Sequence, residues 1–342
     1  MIAPWLLVVV FSLVLLAAAA GTWLLRHYAL THSVLDIPND RSSHTSPTPR
    51  GGGVAIVLAF IAGILTFTVV GAVRSDVAIA LLGAGTVVAI VGFIDDHEHI
   101  PARWRLLAHF SAAIWALVWL HGLPPMAVMG GTVISGWLGD VLAILALVWL
   151  LNLYNFMDGI DGIAGIETVT VCLAAVLVYA VSGAPTSESL LPATLGAATV
   201  GFLVWNFPPA KIFMGDAGSG FLGLMLGVMA VRSATISSDY LWSWIILLGV
   251  FIVDATFTLI RRLARRERVY EAHRSHAYQH AVVVAGSHRP VTLASAAINL
   301  CWLLPLALLA GAGHLDGAVA TAIAYTPLVW LAFRFRAGAA TA

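Results

Sequence analysis

Eleven apolar stretches, each roughly the 17 to 25 residues that a helix needs to cross a bilayer, take up most of this 342-residue chain. They fall at about 3–25, 52–72, 76–94, 104–122, 137–156, 163–182, 190–207, 217–234, 240–260, 292–311 and 317–333. Hydrocarbon offers no partners to exposed backbone N–H and C=O groups, so such stretches must satisfy their own hydrogen bonds as helices. The composition agrees: 60% hydrophobic residues and a mean hydropathy of +0.94 are too apolar for a soluble chain of this size. The expected fold is all-α and polytopic, with about eleven transmembrane helices in a single unit over 1–342. The first stretch lacks a basic leader and a small-residue cleavage site, so it reads as a helix rather than a signal peptide. Cys172 and Cys301 both lie within apolar stretches, which argues against a disulfide framework or a cysteine metal site.

The formal net charge is zero, which speaks against a nucleic-acid partner, but the placement of the charges is informative. Lys and Arg accumulate in short cytoplasmic loops. With the N-terminus outside and the C-terminus inside, fifteen of the seventeen basic residues become cytoplasmic, and only Arg74 and Arg232 are external. The opposite orientation reverses that ratio. In this orientation the unusual polar stretches share the cytoplasmic side. They are 36–53, Asp95 with Asp96, 152–165, 206–220 and the loop 261–290, which has room for a small helix.

The stretch 152–165 joins two apolar windows, and its Asn152, Asn155, Asp158 and Asp161 recur every third residue. A period of three drifts by roughly 60° per step around a 3.6-residue helix, so one unbroken helix cannot present all four together. The helix is expected to open near Gly159 and Gly162, leaving a polar shelf suited to a metal ion and a polar ligand. Asp95 and Asp96 repel each other at a membrane edge and call for a cation or arginines nearby; a solvated helix end is the plainer alternative. Asp216, in Gly215-Asp216-Ala-Gly-Ser where the eighth window begins, suits a pyrophosphate-and-metal corner or a simple capping turn. His273, Arg274, His276 and His280 share a loop rich in arginine, which favours anion binding over zinc. Glu167 and Asp254 are isolated acids without an assignment, and Asp254→Asn is expected to leave turnover unchanged.

Taken together, Asp-Ile-Pro-Asn-Asp-Arg-Ser-Ser-His with Pro-Arg-Gly-Gly-Gly, Gly-Phe-Ile-Asp95-Asp96, the 152–162 shelf, Gly215-Asp216 and the histidine-bearing loop resemble the polyprenyl-phosphate N-acetylhexosamine-1-phosphate transferases. That membrane family includes MraY and WecA, and the matching segments span 36–280. The resemblance implies transfer of a sugar-1-phosphate from a UDP-sugar to undecaprenyl phosphate, with release of UMP and a requirement for Mg²⁺, for which Mn²⁺ can substitute. It assigns Asn155 and Asp216 to the metal, Asp158 and Asp161 to the nucleotide or metal support, and Asn152, Arg105, His273, Arg274 and His276 to substrate. Asp95 or Asp96 would orient or deprotonate the lipid phosphate. A phosphate monoester is mostly dianionic at neutral pH, so direct attack is favoured over an aspartyl-phosphate intermediate. His99, standing in place of a lysine, and the interrupted histidine run point to the branch that begins O-antigen or related surface polysaccharides; the alternative is phospho-MurNAc-pentapeptide transfer in cell-wall synthesis. The expected location is the bacterial inner membrane. The expected partners are the two substrates and the bilayer, with a homodimer allowed and no nucleic acid. A secondary transporter would need midplane carboxylates and an inverted repeat, neither of which the sequence shows.

Overall fold

All eleven windows lie on helices. The computed structural model describes residues 3–32, 35–37, 47–98, 100–129, 131–267 and 273–339; His99 and the motif residues 38–46 lie outside the described residues. The helices are α1 (Pro4–Thr31), α2 (Gly53–Val69), α3 (Ser75–His97), α4 (Ala102–Trp119), α5 (Gly136–Met157), α6 (Ile163–Val181), α7 (Thr186–Asn206) and α8 (Asp216–Ala234). They continue with α9 (Ser238–Leu247), α10 (Gly249–Ala264), α11 (Ala277–Ala285), α12 (His288–Ile298), a π-helical turn (Asn299–Leu303), α13 (Leu304–Gly311) and α14 (Gly317–Arg334). Two short antiparallel ribbons complete the described structure: β1 (Leu35–Asp36) with β2 (Thr48–Pro49), and β3 (Met126–Val128) with β4 (Thr132–Ile134).

By length and composition, eight helical spans among the described residues can cross a membrane, with α12 to α13 taken as one (His288–Gly311), or nine when α9 and α10, bent by 68° at Leu248, count as one broken span. The two windows that fall short have separate reasons. α2 is apolar but only 17 residues long, and α4 carries Arg103, Arg105 and His109 in its first half. Large apolar side chains such as Trp5, Val8, Leu13 and Leu16 on α1 face outward, as a bilayer solvent requires.

α8 forms the axis of the bundle, with 94% of its apolar window buried. Small residues let membrane helices approach closely, because packing rather than the hydrophobic effect holds them together. A Cβ at Gly53 on α2 would lie 2.4 Å from the Cα of Gly218 on α8, so neither position has room for a side chain. That contact, continued by backbone bonds from Gly52 to Phe213 and from Gly53 to Met214, brings the Arg50 segment beside the start of α8.

Candidate functional site

The polar shelf forms where α5 ends. Helical bonding stops at Met157, and α6 begins at Ile163 after Gly162 turns at φ +72°. A side chain there would be strained by the backbone and crowded by Pro208. Asn206, at the end of α7, fixes the turn from both sides: its Oδ1 accepts the Gly162 N–H at 3.0 Å, and its Nδ2 donates to the Ile212 carbonyl at 2.9 Å.

A second junction, between α3 and α8, holds most of the charge. Asp216 is the first residue of α8, whose free N–H groups favour an anion. Asp96, from the end of α3, supplies it: Oδ1 accepts the Asp216 N–H at 2.9 Å and Oδ2 the Ala217 N–H at 3.3 Å. The Arg50 guanidinium then bridges Asp96 at 2.8 Å and Asp216 at 2.7 Å. Asp95 pairs with Arg105 and accepts the Ile100 N–H at 2.8 Å. Arg105 lies 3.9 Å from the second oxygen of Asp216.

Two cavities meet at this charge cluster. One, of about 220 Å³, is mostly polar and is lined by Asp36, Arg50, Asn155, Asp158, Asp161, Asp216, Gln279 and His288 among others. The other, of about 230 Å³, combines Asp95, Arg105, His109, Asn152, Asn155 and Asp216 with apolar Val88, Leu106, Leu151 and Phe156. Asn155 and Asp216 belong to both. Asn155 donates through Nδ2 to Ser219 at 3.3 Å, which leaves its Oδ1 for the cavities.

Among the described residues the Asp158 carboxylate has no hydrogen bond or ion pair. Burial, and then the charge of Asp216, raise its pKa well above the usual carboxylate range. Asp161 is held differently, by the Ala210 N–H at 3.0 Å and by His288 at 3.1 Å.

The side chains of His273, His276 and His280 line neither cavity. His276 is buried, with Nδ1 3.3 Å from Asp254, and His273 stacks on it. Burial, and then His276, push the His273 pKa down to about 4, so it is a neutral ring at neutral pH. Arg274, half-buried, lines neither cavity. What the loop delivers is α11, which docks on the shelf: Tyr278 Oη donates to the Phe156 carbonyl at 3.1 Å, and Gln279 enters the first cavity. Asp254 anchors that helix by accepting the Ala277 and Tyr278 N–H groups, both at 2.9 Å. Asp254, which the sequence leaves without an assignment, is therefore the anchor of α11.

Of the residues singled out in the sequence, Asn155, Asp158, Asp161 and Asp216 converge on the first cavity, and Asn152, Asp95 and Arg105 on the second. Asp96 lines neither. It is a helix cap with a side chain only 3% exposed, not an open base. Arg50 belongs to a motif that the sequence displays, but nothing in that motif marks its carboxylate partners. Gln279 and His288 carry no sequence signal beyond lying in a polar loop.

Residues 78–234 match the model of glycosyl transferase family 4. A Bacillus subtilis (strain 168) protein named "Probable undecaprenyl-phosphate N-acetylglucosaminyl 1-phosphate transferase" is 30% identical, over 83% of this chain and 79% of its own length. The chain belongs to glycosyl transferase family 4. Further relatives include a decaprenyl-phosphate N-acetylglucosaminephosphotransferase of Mycobacterium leprae, 28% identical over 75% of this chain and 72% of the relative. A phospho-N-acetylmuramoyl-pentapeptide-transferase of Saccharopolyspora erythraea is 32% identical, over 70% of this chain and 76% of its own. The family match ends with α8, so the Asp254 anchor and α11 lie beyond it.

Proposed function

We propose that this chain transfers an N-acetylhexosamine-1-phosphate from a UDP-sugar to undecaprenyl phosphate and starts a surface polysaccharide such as O-antigen. The observation that carries this reading is the pair of cavities sharing Asn155 and Asp216, one polar and one partly apolar. The polar one suits a nucleotide diphosphate. The other, with Arg105 above a wall of aliphatic side chains, suits a phosphate on a hydrocarbon tail. An oxygen of the lipid phosphate attacks the β-phosphorus of the donor, the bond from that phosphorus to the bridging oxygen breaks, and UMP leaves. Such reactions depend on positioning and charge neutralisation more than on covalent help from the protein. Arg50 and Arg105 stand on either side of Asp216 and bring positive charge to the shared wall.

The same wall fits Mg²⁺. Asp158 is an acid without a hydrogen bond or ion pair among the described residues, close enough to Asp216, Asp96 and Asp161 to feel their charge. Among the described residues no three His, Cys, Asp or Glu side chains form a ready-made metal cage. Mg²⁺ commonly takes one or two carboxylates and completes its shell with water and substrate phosphates. Asp158, Asp216 and Asn155 Oδ1 would hold it, and bound there it offsets charge on the pyrophosphate.

The test is purified protein in lipid with undecaprenyl phosphate and a panel of UDP-sugars that includes UDP-MurNAc-pentapeptide. UMP release with a lipid-linked product from a UDP-N-acetylhexosamine is expected, and Asp216→Asn should lower that turnover by orders of magnitude and raise the Mg²⁺ needed for half activity. Turnover of the pentapeptide donor alone, or of no donor, overturns the proposal.

A further inference from the structure

One face of α12, continued into the π-helical turn that follows, is polar along its whole length. His288, Thr292, Ser295 and Asn299 follow one another at helical spacing, and each meets α6 or the turn before it. His288 pairs with Asp161, and Thr292 Oγ1 donates to the Asp161 carbonyl at 2.8 Å. Ser295 Oγ donates to Glu167 Oε2 at 3.1 Å. Asn299 Nδ2 donates to the same oxygen at 2.7 Å and to Thr170 Oγ1 at 2.8 Å. This ladder starts in the polar cavity and ends in a cluster where Glu167 and Asn299 have no exposed surface.

Two acceptors in that cluster lack a hydrogen. Glu167 Oε1 and Asn299 Oδ1 are buried and have no partner among the described residues. Flipping the amide does not help. The neighbours of Nδ2 are a carboxyl oxygen and a hydroxyl whose own hydrogen goes to the Ile166 carbonyl at 2.8 Å, so both require a donor in that place. Among the described residues no cationic side chain pairs with the carboxyl. The titratable groups that act on it from neighbouring helices are the Tyr154 phenol of α5 and the Tyr325 phenol of α14. The Phe251 amide at the start of α10 also faces it, and a neutral carboxyl accepts an N–H as a carboxylate does. An ionised carboxylate with only neutral partners is costly in hydrocarbon, as is each open acceptor.

We propose that Glu167 is a neutral carboxylic acid whose Oε1–H donates to Asn299 Oδ1, closing a cyclic acid–amide pair that anchors α12 and so positions Asp161 in the polar cavity. One proton satisfies both open acceptors. Glu167 is thus a positioning residue: it touches no substrate and acts through α12, His288 and Thr292. Its consequence for turnover rests on the proposed function, whereas the protonated pair does not.

The experiment uses the full-length protein in lipid nanodiscs. Infrared spectra near neutral and at mildly alkaline pH should show a protonated-carboxyl C=O band that disappears in Glu167→Gln. That variant can still form the cyclic pair, because its amide donates to Asn299 Oδ1 and accepts from Nδ2. Its thermal stability and donor KM should therefore stay within about twofold of the parent, whereas Glu167→Ala and Asn299→Leu should raise donor KM by more than they lower kcat. Loss of function in Glu167→Gln equal to that in Glu167→Ala, an absent band, or a stability that depends on sodium overturns the proposal in favour of an ionised carboxylate. An unchanged KM in Glu167→Ala overturns the positioning role. Should the parent turn over no UDP-sugar, the proposed function fails, while the infrared comparison still decides the acid–amide pair.

Discussion

Arg50 sets its charge between two carboxylates that would otherwise repel both each other and an incoming phosphate. One guanidinium nitrogen, Nη2, meets Asp96 and Asp216 together, and the delocalised group carries two further nitrogens that the single nitrogen of an ammonium lacks. Arg50→Lys should therefore lower kcat/KM by about tenfold or more, read from steady-state kinetics, and near-normal turnover would remove Arg50 from the site. Asp96 and Asp158 separate by their partners. Asp96 is committed to the start of α8, so Asp96→Ala should lower thermal stability by about 1 kcal/mol, as expected for a lost helix cap. Asp158 has no hydrogen bond or ion pair to lose among the described residues, so Asp158→Asn should leave the melting temperature in place and raise the Mg²⁺ requirement. A thermal melt and a Mg²⁺ titration on both variants check the division, and the reverse pattern would exchange their roles. His273 is neutral at any pH above its depressed pKa of about 4. His273→Gln should accordingly leave the pH dependence of donor KM unchanged between about pH 6 and 8, where an unperturbed histidine would titrate.

Helix ends, more than helix faces, build this site: α3, α5 and α7 finish at it, and α6, α8 and α12 begin there. Gly215 is a crowded junction, at φ +80° and ψ 169°, where an added Cβ would lie 2.5 Å from Asp96 Oδ2. Gly215→Ala should cost about 1–3 kcal/mol in backbone strain and displace the Asp96 cap, lowering melting temperature and turnover together; loss of neither would mean that the junction tolerates a side chain. Asp254→Asn, expected from the sequence to be silent, should instead loosen α11, seen as faster amide exchange over Ala277–Ala285. The apolar windows and the glycine-broken shelf were legible because period and glycine chemistry act locally. Asp216 at the start of α8 was legible for the same reason. The partners were not. Arg50 and Asp216 are 166 residues apart, and Asp254 caps an N–H 23 residues away across a loop, pairings that depend on which helices pack together. The acids at 95 and 96 look alike in the sequence, yet one lines a cavity and the other closes a helix.

At the scale of the whole molecule, the bundle separates its charges by end. Arg26 reaches the Lys211 carbonyl, Arg50 and Arg105 stand at the shared wall, and Arg261 and Arg265 reach the carbonyls of Ala337 and Gly338 after α14. At the other end Arg74 pairs with Asp76 and Arg232 with Glu188, so the two basic residues there are neutralised locally. The basic residues thus concentrate on the cavity side, and short loops rich in Lys and Arg stay on the cytoplasmic side during insertion. The expected topology places both cavities in the cytoplasm, with the start of α1 outside. Reporter fusions after Arg50 and after Arg336 should both read as cytoplasmic. The two positions test different halves of the bundle: the first depends on α1 alone, the second on every later crossing, including the broken span of α9 and α10. An external signal after Arg50 would invert the whole bundle and put the donor cavity on the wrong face for the proposed reaction. An external signal after Arg336 alone would mean that one helix between α2 and α14 does not cross, and α2 and α4, too short or too basic by composition, would be the first to suspect.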